Sequence, residues 1–153
     1  MITTTTHLNF RGTARRALEF YQGVLGGDLT VATYAEVGMP ADLPGADAVV
    51  FGRLETEDGL RLLAYDVPGH AGTSDDTAAI AGTTRREQGT TVTDRTFFQS
   101  LQGTTLDEVR PVWDALADGA EIVEPLAASV WSAGFGMLTD RFGVTWVVDV
   151  QAS

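Results

Sequence analysis

Two segments of the chain carry apolar residues at helical spacing. The first is predicted over residues 14–25, where six apolar side chains recur on one helical face: Ala17, Leu18, Phe20, Tyr21, Val24 and Leu25. Thr13 can cap this helix, and the glycine pair 26–27 can end it. The second helix is predicted over 106–117 and ends before Gly119.

Shorter segments rich in β-branched and aromatic residues predict eight strands. They cover residues 7–10, 28–37, 48–55, 60–66, 96–101, 120–124, 135–139 and 144–150. Between the fourth and fifth strands, residues 67–93 are rich in Gly, Thr, Asp and Ala. This composition predicts a loop, with a short helix near residues 75–81.

The order strand, helix and three strands therefore occurs twice, and the residues themselves repeat. Residues 10–13, FRGT, align without a gap with residues 101–104, LQGT. A duplicated βαβββ unit is the inference, with an α+β fold in one domain over residues 1–153. Module 1 is predicted at about 6–66, a loop at 67–94 and module 2 at about 95–150. Paired modules of this kind make a curved mixed sheet with helices on its convex face, and the concave cleft is the default binding site.

The charge of the chain limits its partners. Twenty-one acidic and ten basic residues give a net charge of −11, which repels nucleic acids and anionic membrane surfaces. The acidic surface either serves solubility or attracts a cationic ligand, and both interpretations remain open. The chain has no cysteine and no apolar run long enough to span a membrane. Its first residues lack the basic start and apolar core of a signal peptide, so we do not expect them to be one. These features favour a cytoplasmic protein.

Motifs at both ends of the chain resemble a known family. The segments HLNFRGTARRALEFYQGVLGG, at residues 7–27, and VWSAGFGMLTDRFGVTWVVDV, at residues 130–150, are similar to the vicinal oxygen chelate superfamily. This superfamily includes glyoxalase I, extradiol dioxygenases, fosfomycin-resistance enzymes and bleomycin-binding proteins. Within it, the sequence most resembles the PhnB-like branch. The resemblance implies the paired-module fold and a homodimer.

The family's metal enzymes place a His, Gln or Glu ligand on the first and last strand of each module. Position by position, the resemblance places these ligands at Thr6, Leu63, Phe97 and Val147. One hydroxyl and three hydrocarbon side chains bind a divalent cation poorly, so we expect no metal and no cofactor. His7 lies one residue from the first position, and a one-residue shift along a strand reverses the face. For His7, a structural role and a role as a lone ligand or base both remain open. Asp66 and Asp149 each end a strand, and they are either solvated or form an acid/base pair.

Alternation along the strands predicts which side chains line the cleft. The candidates are Thr6, Leu8, Phe10, Arg61, Tyr65, Phe97, Gln99 and Val147, with Trp131 and Phe135 at the mouth of the last hairpin. Trp146 has the opposite parity to Val147 on the last strand, so its side chain is expected to face the helices. The sequence has no P-loop, GxGxxG, GxSxG or HExxH motif.

These features predict a metal-free small-molecule-binding protein of the glyoxalase/bleomycin-resistance type. Its ligand would be a small organic molecule, with cationic and aromatic ligands both open. The alternative is an enzyme of the same superfamily, a lyase, isomerase or dioxygenase, with an unusual metal site or none.

Overall fold

A computed structural model of the chain describes residues 1–69 and 84–151. The chain divides into two compact units, residues 1–75 and 76–153. Each unit contains one βαβββ arrangement, so the predicted α+β fold with two such modules is confirmed.

Module 1 is a four-stranded sheet with one helix on it. Its elements are β1 (Thr6–Phe10), α1 (Ala14–Leu25), β2 (Asp28–Thr33), β3 (Val49–Glu55) and β4 (Arg61–Asp66). The strand order is β1-β4-β3-β2, with β1 parallel to β4 and the other pairs antiparallel. β2 is shorter than predicted because the chain turns at its end, where the Glu36 carboxylate accepts hydrogen bonds from the backbone N–H and the hydroxyl of Thr33. These two bonds lower the pKa of Glu36.

Module 2 repeats this topology. Its elements are β7 (Gln99–Gly103), α2 (Leu106–Ala117), β8 (Glu121–Ala127), β9 (Phe135–Thr139) and β10 (Thr145–Val150), in the order β7-β10-β9-β8. β7 is parallel to β10, as β1 is to β4 in module 1.

The segment expected to be loop contains a hairpin, β5 (Arg85–Glu87) and β6 (Thr90–Val92). Its turn residues, Gln88 and Gly89, have φ angles of 50° and 78°. Two positive φ angles are the geometry of the two-residue turn that matches strand twist, and this turn allows such short strands to pair. The predicted helix at 75–81 lies outside the described residues.

Each helix packs on one face of its own sheet, which we call the helix face; the opposite face is the open face. In module 1, a Cβ on Gly52 would collide with Leu18 of α1. In module 2, a Cβ on Gly136 would lie 2.7 Å from the Trp113 ring of α2. These two glycines therefore mark the helix faces, and the other residues follow by alternation.

None of the helices in the described ranges is long and apolar enough to cross a membrane.

Candidate functional site

The predicted faces of β1 and β7 are wrong. Leu8 and Phe10 are 4% and 5% exposed and lie on the helix face of module 1, and Thr6 shares their parity. Gln99 pairs with Trp146 on the helix face of module 2, and Phe97 precedes β7 with 59% of its surface exposed. These five side chains were expected to line the cleft, but they do not lie on the open faces of the sheets.

Two errors combine here, one in the alignment of the repeats and one in the position taken from the family resemblance. The backbone carbonyl of Phe10 accepts a hydrogen bond from Val67, and the carbonyl of Gly103 accepts the equivalent bond from Gln151. Phe10 therefore corresponds to Gly103 and not to Leu101, a shift of two residues. A shift of two residues keeps the face of a strand, so the reversal has the other cause. The resemblance placed the first position at Thr6, one residue before His7, which pairs with Leu63, and a one-residue shift reverses every side chain on the strand.

The true registers identify the open-face side chains at the middle of the first and last strands of each module. In module 1, His7 pairs with Leu63; in module 2, Ser100 pairs with Val147. Leu63 and Val147 therefore lie on the open face, as predicted. Each pair offers at most one side chain that could bind a divalent metal: an imidazole beside a hydrocarbon in module 1, and a hydroxyl beside a hydrocarbon in module 2. Within residues 1–69 and 84–151, no three His, Cys, Asp or Glu side chains converge on a point that could hold a metal.

His7 is the centre of an aromatic and polar group on the open face of module 1. Its ring meets the ring of Tyr65 edge-on, with centroids 5.3 Å apart and an interplanar angle of 68°. His7 Nδ1 lies 3.2 Å from Asn9 Oδ1, and Asn9 pairs with Tyr65 across the strands. Phe51, on β3, is 42% exposed on the same face. Asn9 and Phe51 were not predicted, because the register error placed Asn9 on the other face.

Two arginines on this face are held by one carboxylate. Arg61 Nη2 lies 2.6 Å from Glu55 Oε1, and Arg53 makes a second ion pair with the same side chain. The Nε atom of Arg61 is buried and has no hydrogen-bond acceptor among the described residues. Arg61 and Tyr65 have the same parity on β4 as Leu63, so both lie on the open face, as the predicted parity implied.

A hollow of about 660 Å³ adjoins this row of charges. Its lining is mainly polar and contains four carboxylates: the lining residues are Leu25, Gly27, Asp28, Thr30, Arg53, Glu55, Thr56, Glu57 and Asp58. Its composition suits a hydrated or cationic group better than an apolar one.

The hairpin β5–β6 covers part of the open face of module 2. Met137, on this face, is only 1% exposed, and its sulfur accepts a hydrogen bond from the Thr91 hydroxyl at 3.5 Å. Arg86 lies over the Phe135 ring, with its guanidinium carbon 5.4 Å from the centroid. The same guanidinium is within 3.6 Å of Glu124. The face of Phe135 that was expected to meet a ligand is therefore in contact with a side chain of the protein itself.

Trp131 and Trp146 have contrasting environments. Trp131 is 94% exposed in the loop between β8 and β9, where its backbone N–H is bonded to the Ser129 hydroxyl. Trp146 is completely buried on the helix face, as predicted, and its indole N–H donates to Asp140 at 2.8 Å.

The two strand-end aspartates have different roles. Asp66 is 3% exposed, and its carboxylate accepts backbone N–H bonds from Gly12, Ala14 and Val49 at 2.8–3.0 Å. It is therefore a structural residue and not part of an exposed acid/base pair. Asp149 lies on the surface and accepts one bond from Gln102.

Tyr34 lies beside Asp66 and donates its hydroxyl to the Asp66 carbonyl at 2.7 Å. Burial raises the pKa of the Tyr34 phenol, and the neighbouring Tyr65 and Asp66 raise it further. The phenol is therefore a hydrogen-bond donor and not a nucleophile.

Comparisons with known proteins agree with this fold. The family model described as Glyoxalase/Bleomycin resistance protein/Dioxygenase superfamily matches residues 6–148. Protein PA1353 from Pseudomonas aeruginosa is 27% identical, with all of both chains covered and a TM-score of 0.75. A putative 3-demethylubiquinone-9 3-methyltransferase, PhnB protein, from Bacillus cereus is 20% identical, with 98% of this chain and 100% of that chain covered and a TM-score of 0.68. TioX from Micromonospora sp. ML1 is 16% identical, with 99% of this chain and 100% of that chain covered and a TM-score of 0.53. No curated protein matches the chain.

Proposed function

Since the chain belongs to the Glyoxalase/Bleomycin resistance protein/Dioxygenase superfamily, we propose that it binds a small planar organic molecule on the open face of module 1 without a metal. The observation that carries this proposal is the set of side chains at the strand positions His7, Leu63, Ser100 and Val147. Only one of the four is a good metal ligand, so the family's metal chemistry has no support in these residues.

The aromatic group of module 1 supplies the binding surface. Tyr65 and Phe51 offer ring faces and edges, and His7 and Asn9 add hydrogen-bonding groups beside them. A planar ligand can stack on these rings, which contributes roughly 0.5–1.5 kcal/mol beyond the burial of area. Arg61 borders this surface, and its guanidinium forms an ion pair with Glu55 at the edge of the proposed site.

A thermal-shift screen with planar natural products tests the binding. A ligand that stabilises the wild-type protein should bind roughly tenfold more weakly to the Tyr65→Ala variant, because one stacking ring is lost. Val37→Ala is the control: Val37 is an exposed apolar residue of module 1 outside the sheet, and its removal should leave binding unchanged. Equal binding by the wild-type protein and Tyr65→Ala would contradict the proposed surface.

Elemental analysis of the purified protein tests the absence of a metal. We expect no stoichiometric Ni, Zn, Mn or Fe. About one tightly bound equivalent would show that other residues complete a metal site and that the ligand set proposed here is wrong.

An enzyme of the same superfamily is the second candidate, and the pairing of His7 with Asn9 favours it. If the Asn9 oxygen accepts from Nδ1–H, the neutral imidazole presents the lone pair of Nε2, which is the form of a general base. Turnover of a hemithioacetal or a catechol by the pure protein, lost in His7→Gln, would establish this alternative. No turnover with either substrate class leaves binding as the function.

A further inference from the structure

We propose that Phe135 and Glu124 form a binding site for a small organic cation, and that Arg86 of the β5–β6 hairpin fills this site in place of such a ligand. The site lies in module 2 and does not depend on the ligand proposed for module 1. Its ligand class is a guanidinium, amidinium or ammonium compound.

The contacts of Arg86 are those by which proteins recognise organic cations. Its guanidinium lies over the Phe135 ring, where the negative face of the ring attracts a positive charge. The Glu124 carboxylate, 3.6 Å from Arg86 Nε, supplies the opposite charge. Thr91 accepts a hydrogen bond from Nη1 at 2.8 Å. An aromatic face, a carboxylate and a hydroxyl thus surround one planar cation.

Arg86 fits this site imperfectly. Its Nε atom is buried and has no hydrogen-bond acceptor in the described part of the chain. The 3.6 Å separation from Glu124 is an ion pair but is too long for a hydrogen bond. A buried N–H without an acceptor costs free energy, so a free cation that reaches Glu124 directly makes a bond that Arg86 does not make.

The hairpin that carries Arg86 is small enough to be displaced. Each of its strands has three residues, and an isolated two-stranded hairpin is at best marginally stable in water. The side chains of Arg86 and Thr91 contact residues of the neighbouring sheet. The net charge of −11 adds a long-range attraction for cations.

Ethylguanidinium chloride, at low millimolar concentration, is the probe. In the Arg86→Ala variant it should bind saturably and raise the thermal midpoint, with an affinity at least about tenfold higher than in the wild-type protein, because an internal competitor reduces the apparent affinity. Ethylurea, a neutral planar analogue, and sodium chloride at equal ionic strength should give no comparable shift. Arg85→Ala is the matched control, since Arg85 is the neighbouring residue on the other side of the same hairpin strand and pairs with Glu87. It should respond as the wild-type protein does.

Two results would overturn the proposal. One is equal affinity of Arg86→Ala and the wild-type protein for ethylguanidinium; the other is unchanged binding when Phe135→Leu is added to Arg86→Ala. If Arg86→Ala does not fold, the wild-type protein decides the matter by amide NMR. Saturating ethylguanidinium should then shift the amides of Phe135, Glu124 and residues 85–92, and an unperturbed spectrum rejects the site.

Discussion

Asp66 shows how one buried side chain can organise a module. Its two carboxylate oxygens accept three backbone N–H groups, from the β1–α1 loop, the first turn of α1 and the start of β3. Thr13 was predicted to cap α1, but its side chain makes no capping bond, and Asp66 satisfies the N–H of Ala14 instead. A carboxylate from a distant strand thus performs a task that local sequence assigns to a neighbour.

Replacement of Asp66 by Ala should therefore lower the free energy of unfolding by about 3 kcal/mol or more, because hydrogen bonds to a charged group are lost and buried N–H groups remain unpaired. Asp149→Ala is the control, since Asp149 also ends a strand but accepts one exposed bond; it should cost no more than about 0.5 kcal/mol. Urea denaturation measures both. Equal costs would contradict the structural role of Asp66.

Trp146 and Trp131 provide a second comparison between single residues. Trp146→Ala should cost roughly 3–5 kcal/mol, because it empties a fully buried position on the helix face. Trp131→Ala should change stability by less than about 0.5 kcal/mol, because the side chain is 94% exposed. Thermal or urea unfolding of the two variants checks this order, and the reverse order would invert the face assignment. The stacking of Trp131 on a ligand stays a prediction.

The register of β1 illustrates what single residues do not reveal in the sequence. Leu8 and Phe10 are apolar and alternate with the polar His7 and Asn9, a pattern that favours burial of the Leu8 and Phe10 face. The prediction instead followed the position that the family resemblance gave to Thr6. The carbonyl bonds that fix the correspondence between Phe10 and Gly103 are long-range and leave no local sequence signal. In β10, by contrast, the helix-face residues Trp146, Val148 and Val150 are all apolar. The predicted helix-facing position of Trp146 was correct.

Among the elements, α2 begins with a local capping arrangement that depends on pH. The Glu108 carboxylate accepts hydrogen bonds at 2.7 Å from the backbone N–H and the hydroxyl of Thr104, while the Thr105 hydroxyl accepts from the Glu108 N–H. The backbone and side-chain bonds from Thr104 lower the pKa of Glu108. This is a reciprocal arrangement of the capping-box kind, and it fixes the start of the helix.

Because the pKa of Glu108 is lower in the folded protein than in the unfolded chain, its ionised form stabilises the fold. That contribution is present above the unfolded pKa and is lost as the pH falls through the lowered folded pKa. Glu108→Gln should therefore be less stable than the wild-type protein at neutral pH, and the difference should disappear in acid. Urea denaturation across this range measures it; a difference that persists in acid would assign the effect to packing.

Glycines within the elements should respond oppositely to substitution. Gly23 lies inside α1 with nothing within 4 Å of a Cβ, so Gly23→Ala should stabilise the protein by about 0.5–1 kcal/mol. Gly136→Ala should destabilise it by roughly 1–3 kcal/mol, because the new methyl would lie 2.7 Å from Trp113 and 2.9 Å from the backbone of Leu126. The thermal midpoints of the two variants should move in opposite directions, and a shared direction would be a contradiction.

The β5–β6 hairpin is the element that the sequence interpretation missed. Its surroundings are rich in Gly and Thr, which predicted a loop, and its strands are too short for a clear alternation. The available signal for a hairpin was the pair Gln88-Gly89, which lies between the triplets RRE, at 85–87, and TTV, at 90–92. Its contact with Phe135 was not predictable, because a cation–π contact leaves no periodic trace in the sequence.

For the whole molecule, the order of elements was predictable because both modules repeat the same hydrophobic pattern. Both helices were predicted with the bounds that the structure gives, and the eight main strands agree except at their ends. The pairing of β1 with β4 and of β7 with β10 joins distant segments in parallel, and that register decides which side chains can meet a ligand. The order of the elements could therefore be predicted from the sequence more easily than the side chains of the candidate site.

Each four-stranded sheet has two strands at its edges: β1 and β2 in module 1, β7 and β8 in module 2. An edge strand that pairs with no further strand among the described residues can associate with another chain, and we expect the protein to be a homodimer. Light scattering at micromolar concentration would give twice the 16.3 kDa chain mass. A monomer at that concentration would contradict this expectation.

The three tryptophans differ in exposure, so their fluorescence should report on two regions of the protein separately. Trp113 and Trp146 are 7% and 0% exposed, so their emission should be blue-shifted and resistant to caesium ions, a cationic quencher that the acidic surface attracts, while Trp131 should emit at longer wavelength and be quenched. Quenching by caesium ions in the native state therefore isolates Trp131, and the unquenched remainder follows the packing of the α2–sheet interface. One fluorescence titration can thus separate a ligand that arrives at the β8–β9 loop from one that alters the core.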